Sequence, residues 1–382
     1  MFDKPLVGFL HLIVYMGFII INIELIEIVI DGLFGTHRIL SFLGSFYDFL
    51  IASFEVLAFL VLISVIIFLI RRNVIRLKRF IHSDMKGWPT LDGNLILIFE
   101  IFLMLAFLTM NAADSILQIH YPEKYVTAGS FPISGFFIVP ILKTYVLDFE
   151  SLFIIERFCW WFHIIGILGF LNYLAISKHL HILLAFPSTY YSKLDPKGQF
   201  SNMDSVTREV KIMLDPNVDP FSQSSENPSV SFGAKDVRDL NWLQLLNAYS
   251  CTECGRCTSE CPANITGKKL SPRKIMMDVR DRVEEVGKGI DKNDLNFNDG
   301  KTLLNDYIKP EELWACTSCN ACVEACPINI DPLSIIMDLR RYSVMEESSA
   351  PSELNTVFSN IENNGAPWPF PASDRLKWKE DE

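Results

Sequence analysis

Three things are missing from this chain of 382 residues, and each absence narrows what it can be. It has no glycine-rich loop of the kind that cradles a nucleotide phosphate, which argues against a nucleotide-dependent catalyst. It has no excess of positive charge: the net charge is −11, so nothing favours a nucleic-acid partner. No small-residue cleavage site follows the first apolar stretch, which carries Asn22, Glu24 and Glu27, so that stretch does not read as a removable signal peptide. Cysteine is not abundant either, with nine in all, and eight of them are taken up by two short runs.

Those runs carry the chemistry. The first is Cys251, Cys254, Cys257, Cys261 and Pro262; the second is Cys316, Cys319, Cys322, Cys326 and Pro327. Both read C-x₂-C-x₂-C-x₃-C-P, the bacterial ferredoxin spacing that holds [4Fe–4S] clusters. Zinc or disulfides account for one such run, but poorly for two that both end in Cys-Pro. Two clusters make the chain an electron carrier. The leftover thiol, Cys159, reads as a small packing residue.

Apolar residues make up 50% of the chain and concentrate in its first half, so a membrane domain precedes a charged, soluble one. We expect spans at residues 6–30, 46–70, 91–112 and 152–186, each long enough to cross a bilayer at about 1.5 Å per residue. Phe136–Leu147 is apolar but too short to cross, and reads as interfacial or re-entrant. The loop after the second span holds Arg71, Arg72, Arg76, Lys78, Arg79 and Lys86, and the opposite loops hold few cations. The positive-inside rule then places that loop, both termini and the soluble half in the cytoplasm. Reduced, cluster-binding cysteines fit the same compartment.

Histidines in the spans are a second signal. On the expectation that residues 152–186 form one helix, His163 and His181 stand 18 residues, and so about 27 Å, apart on it. His11 matches His181 in depth and His37 matches His163, which would give two facing pairs, each able to hold a b-type haem. The plainer reading is that such histidines hydrogen-bond neighbouring helices. Glu24, Glu27, Asp31, Glu55, Glu100 and Asp114 lie in or near the spans and invite the same two readings, proton transfer or structural hydrogen bonding.

The stretch from His163 to His181 resembles the last haem-binding helix of the respiratory nitrate reductase gamma subunit and of the cytochrome b subunit of membrane-bound heterodisulfide reductase. Asp236–Tyr342 resembles the helical ferredoxin subunit of heterodisulfide reductases. The chain as a whole resembles a fusion of the two, a membrane-anchored iron–sulfur oxidoreductase. The resemblance implies an all-α fold: a four-helix transmembrane domain (1–186), a cytoplasmic linker (187–237), a dicluster ferredoxin domain (238–345) and an extended tail (346–382). It also implies that the fourth cysteine of each run serves the other cluster. One set is then Cys251, Cys254, Cys257 and Cys326, and the other Cys316, Cys319, Cys322 and Cys261.

The function implied is that of an electron-transfer subunit, not a complete enzyme, in a bacterial or archaeal cytoplasmic membrane. It would pass electrons between the quinone pool and a cytoplasmic redox partner through one or two b haems and two clusters. With no further cysteine-rich module in the sequence, that partner is expected to be a separate, cysteine-rich catalytic subunit, docked near the second cluster and the tail with its Trp368, Phe370 and Trp378. The alternative is a haem-free, membrane-anchored ferredoxin. An internal repeat underlies the soluble half: Thr252/Thr317, Asn264/Asn329 and Ile265/Ile330 align with the cysteines, and Ser271-Pro272 and Asp331-Pro332 each start a helix.

Overall fold

The computed structural model describes residues 4–145, 148–196, 199–215 and 231–379. It divides into two compact units, residues 1–180 and 181–382. Among the described residues the structure is helical, with no strand.

The first unit contains α1 (Pro5–Phe34), α2 (Ser45–Asn73), α3 (Trp88–His120), α4 (Pro132–Phe137), α5 (Val139–Tyr145) and α6 (Phe149–Leu174). Helices α1, α2, α3 and α6 are long and apolar enough to cross a membrane. α1 packs on α2, α2 on α3 and α3 on α6. Glycines permit the close approaches: a Cβ at Gly17 would lie 2.5 Å from Val61 Cγ2, and one at Gly166 would lie 2.8 Å from Leu103 Cδ2. With lipid outside, such close packing replaces the hydrophobic drive that water supplies elsewhere. Leu6, Phe9, Phe42, Phe158 and Leu168 accordingly remain exposed on the outer surface. The apolar stretch too short to cross forms α4 and α5, which lie against α2 and α3; its residues 146–147 fall outside the described residues.

The fourth span differs from the expectation of one helix over 152–186. α6 stops at Leu174, a short 3₁₀ turn covers Lys178–Leu180, and His181 begins a new helix, α7 (His181–Tyr190), in the second unit. The cause is Asp92 on α3, which is buried in the bundle. Its carboxylate accepts hydrogen bonds from Tyr173 Oη at 2.5 Å, Ser177 Oγ at 2.7 Å and the Lys178 amide at 3.1 Å. Lys178 Nζ also donates to the Pro89 carbonyl at 2.6 Å. These bonds capture the chain end that a continuous helix would have carried straight on. His163 and His181 therefore do not share a helix.

The second unit continues with α8 (Asp204–Leu214), α9 (Trp242–Ser250), α10 (Arg256–Ser259), α11 (Pro262–Ile265), α12 (Pro272–Lys292), α13 (Pro310–Trp314), α14 (Ala321–Glu324), α15 (Pro332–Met345) and α16 (Ser352–Asn364). Its core is apolar and built largely from α12 and α15, through Ile275, Met276, Val279, Ile335, Ile336 and Leu339. Both helices start as the sequence suggests. Ser271 Oγ accepts from the Lys274 amide at 3.3 Å, Asp331 Oδ1 accepts from the Ser334 amide at 3.0 Å, and each cap precedes a proline.

Within the linker, α8 forms because Val206, Val210 and Met213 recur at helical spacing among charged neighbours. The linker's serine-rich part, residues 222–228, lies outside the described residues. The tail is not an extended arm: Ser352–Asn364 is helical, and Gly365 ends it in the left-handed conformation (φ 66°) with its amide on the Ile361 carbonyl.

Candidate iron–sulfur site

Each cysteine run folds into the same loop. The first follows α9 directly and leads into α10; the second follows α13 and leads into α14. Two residues after the first cysteine the backbone turns left-handed at Glu253 (φ 55°) and at Ser318 (φ 57°). Four residues after it the chain does so again, at Gly255 (φ 72°) and Asn320 (φ 60°). Positive φ outside glycine is uncommon and marks an imposed conformation. Its effect is to turn amides inward. The Ser318 amide donates to Cys316 Sγ at 3.4 Å, and the Glu253 amide does the same for Cys251. Alternating left- and right-handed residues make a concavity lined with N–H groups, which favours anionic sulfur.

The two runs interlock. α10 packs on α14, and α12 packs on α15. Cys261, the last cysteine of the first run, lines one pocket with Cys316, Cys319 and Cys322 of the second, together with Leu270, Leu333 and Ile336. Conversely, Cys326 lies within electrostatic reach of Cys251, Cys254 and Cys257.

All eight sulfurs are free thiols, and Cys251, Cys261 and Cys322 are buried while Cys319 is exposed. Burial, reinforced by neighbouring cysteines, pushes the Cys251 and Cys322 thiols up to about 12 and Cys257 well above its ordinary value. Left alone, these groups are neutral at physiological pH. A bound cationic core reverses that, because metal-ligated thiols lose their protons. Among the described residues no three histidine, cysteine or acidic side chains converge on one ion position. Zinc at about 2.3 Å from each sulfur requires such convergence. Cys261, Cys316, Cys319 and Cys322 instead line a shared pocket, which fits a cluster better than a single ion.

Sequence reasoning missed the arginines behind these loops. Arg280 of α12 donates to Glu253 Oε1 at 2.6 Å, and Arg340 of α15 donates to the Cys316 carbonyl at 2.6 Å and the Leu313 carbonyl at 2.8 Å. The signal was available: with the caps Ser271 and Asp331 in register, Arg280 and Arg340 align.

The histidines are less uniform. His163 is buried in the first unit, with its ring centroid 5.8 Å from that of Phe107 and its Nδ1 without a hydrogen-bond partner. His37 has both ring nitrogens engaged: Nδ1 accepts from the Val126 amide at 3.1 Å, and Nε2 lies 2.9 Å from Asp114 Oδ1. An iron at His37 would have to displace one of these bonds. His11 is exposed on α1, and His181 is half-buried at the start of α7. His179 Nε2 faces Glu100 at 3.9 Å. Cys159 packs in the core formed by α1, α2, α3 and α6.

The span acids are largely structural. Arg38, buried and left-handed (φ 55°), donates to Asp114 Oδ2 at 2.8 Å, Asn111 Oδ1 at 3.0 Å, Glu24 Oε1 at 3.3 Å and Tyr47 Oη at 3.3 Å. Tyr47 Oη donates onward to Glu27 Oε2 at 2.8 Å. Glu55 accepts from Ser134 Oγ at 2.5 Å and from the Ile133 amide at 3.0 Å.

The chain thus combines a helical unit with four helices long and apolar enough to cross a membrane and a helical unit that carries two ferredoxin-type cysteine runs. Residues 250–330 match the 4Fe-4S dicluster domain family, within the second unit. Along 98% of its length the chain is 29% identical to the probable iron-sulfur-binding oxidoreductase FadF of Bacillus subtilis, covering 52% of that protein. Over the same share it is 26% identical to the EtfAB:quinone oxidoreductase of Syntrophomonas wolfei, covering 51% of it. It is also 30% identical, over 41% of its length, to a probable membrane-anchored ferredoxin of Chromohalobacter salexigens, covering 25% of that protein. Its relatives are thus iron–sulfur oxidoreductases, a membrane-anchored ferredoxin and heterodisulfide reductase C subunits. The chain spans about half the length of the first two relatives. No solved structure matches it.

Proposed function

We propose that this chain relays electrons between the membrane quinone pool and a cysteine-rich redox partner through two [4Fe–4S] clusters. The observation that carries this reading is the interlock of the two cysteine runs, in which Cys261 shares a pocket with the second run and Cys326 lies within electrostatic reach of the first. Cys251, Cys254, Cys257 and Cys326 would hold one cluster; Cys316, Cys319, Cys322 and Cys261 would hold the other. Bound there, the clusters supply one-electron transfer. The chain's own residues bury the thiols, aim amides at the sulfurs and separate the two sites.

Support for quinone comes from the name of the Syntrophomonas relative and from the four apolar helices. Cys319 is the exposed ligand candidate, so electrons would pass to the partner at the second cluster, on the cytoplasmic side that the arginine-rich loop favours. Trp368, Phe370 and Trp378 are exposed on the tail and offer that partner apolar contacts. The ferredoxin domain is bounded at residues 238–345, as the repeat and its flanking caps suggest.

A b-type haem extends this reading, and His163 is the ligand best suited, being buried with an unpartnered ring nitrogen. His11, His37 and His181 are the remaining candidates. A haem-free, membrane-anchored ferredoxin is the second reading, favoured by the engaged ring of His37 and by the helix break that separates His163 from His181.

Iron and acid-labile sulfide near about eight each per chain would support the cluster assignment, and reduction of those clusters by a quinol in detergent would support the relay. Stoichiometric zinc, or about half that iron, would overturn it. A b-type absorption spectrum that His163→Ala abolishes decides for haem; its absence from the intact chain decides for the second reading.

A further inference from the structure

The two halves of the cluster-binding unit are near copies, and they differ in charge at the position two residues after the first cysteine, Glu253 in one and Ser318 in the other. In each half the left-handed residue after the first cysteine is met by an arginine from the long helix that follows. In the first half Arg280 Nη2 lies 2.6 Å from Glu253 Oε1, and Glu253 is 2% exposed. In the second half the residue is Ser318, and Arg340 Nη1 reaches its Oγ at 3.5 Å. Arg340 is otherwise held by neutral groups, the carbonyls of Leu313 and Cys316 and the face of Trp314 at 4.8 Å. Among the described residues no carboxylate forms an ion pair with it. Arg280 is paired; Arg340 keeps its charge against the Cys316 loop.

We propose that these two latches tune the clusters in opposite directions: Glu253 lowers the reduction potential of the first cluster, and Arg340 raises that of the second. The inference rests on the reading that the eight cysteines hold two clusters. Reduction adds one negative charge to a cluster. A buried anion next to Cys251 opposes that charge, and a half-buried cation next to Cys316 favours it. Arg256 beside Cys326 and Asp331 beside Cys322 set each cluster's baseline, so the proposal concerns the shift made by each latch and not their absolute order.

The test is a redox titration of the full chain in detergent, followed by electron paramagnetic resonance, with iron and sulfide measured on every variant. Glu253→Gln is expected to raise one potential, and Arg280→Met, which removes the cation 2.6 Å from the Glu253 carboxylate, to lower the same one. Arg340→Met is expected to lower the other, and Arg340→Lys to lie closer to wild type. Ser318→Glu, which places the first half's carboxylate in the second, is expected to lower the second potential while leaving the first in place. Each full shift is expected to be about tenfold in the one-electron equilibrium, about 59 mV. Potentials that stay fixed, move together or move with the opposite sign, in variants that keep both clusters, overturn the proposal alone. A wild-type chain with fewer than two clusters overturns the underlying reading as well. Should Glu253→Gln lose iron, Ser318→Glu still decides.

Discussion

Each half of this molecule has a buried arginine that gathers several partners, Arg38 in one and Arg282 in the other, and the two do different work. In the membrane unit Arg38 sits in a loop and gathers Glu24, Asn111 and Asp114 from two spans, with Tyr47 from a third. In the cluster-binding unit Arg282 projects from the middle of α12 and gathers loops: Asp236 at 2.9 Å, Asp299 at 2.6 Å and the Lys301 carbonyl at 2.6 Å. The first fixes how helices meet, in a bundle whose outer face is apolar and whose inner contacts depend on glycine. The second fixes where loops lie on an apolar core that already holds its helices together. A polar hub is therefore less replaceable in the membrane unit, where the carboxylates of Glu24 and Asp114 are more deeply buried than those of Asp236 and Asp299.

The largest expected effect separates the units altogether. Replacing Cys254 by Ser is expected to remove one cluster and leave buried, neutral thiols in a strained loop. The cooperative melt of the cluster-binding unit should then be lost while the apolar helices keep theirs, because cluster binding and folding are coupled only where the cysteines lie. Iron content and circular dichroism of the full chain in detergent check this; a common collapse of both transitions would show that the units do not fold independently.

Next in size is Arg38→Met. It strips a buried cation from Glu24 and Asp114 and is expected to cost about 3–5 kcal/mol, the scale for breaking a buried pair. Thermal unfolding in detergent, with the cluster signal as internal control, reads it. The matching change, Arg282→Met, is expected to cost less, about 2–3 kcal/mol, because Asp299 and Asp236 lie close enough to solvent for water to take over. Asp299, held down to about 2 chiefly by its hydrogen bond from Arg282, should return toward the ordinary carboxylate range in that variant. The sign follows: its contribution to stability is present above about pH 4 and is lost as pH falls toward 2. Equal costs for the two arginines would erase the contrast drawn here.

The smallest effect tests the glycine packing. Gly17→Leu forces a side chain into Val61, and the expected cost is about 1–3 kcal/mol, confined to the membrane unit's transition. A leucine accepted there without loss would mean that α1 and α2 separate freely.

What the sequence determined alone was local. Four apolar runs specify four long helices, because a run of that length finds no other way to satisfy its backbone in lipid. The cysteine spacing and its repeat specify two equivalent loops, because only the order of residues within some fifteen positions is needed. The capped prolines at 272 and 332 specify where α12 and α15 begin. What tertiary structure decided was everything set by partners far along the chain. Asp92 breaks the fourth span some 80 residues later. Asp114 and the Val126 amide occupy the ring of His37. The pairing of Cys261 with the second run, and of Cys326 with the first, depends on α10 meeting α14. Hydrophobic periodicity records which face of a helix is buried; it holds no record of which carboxylate or which thiol will be found waiting there.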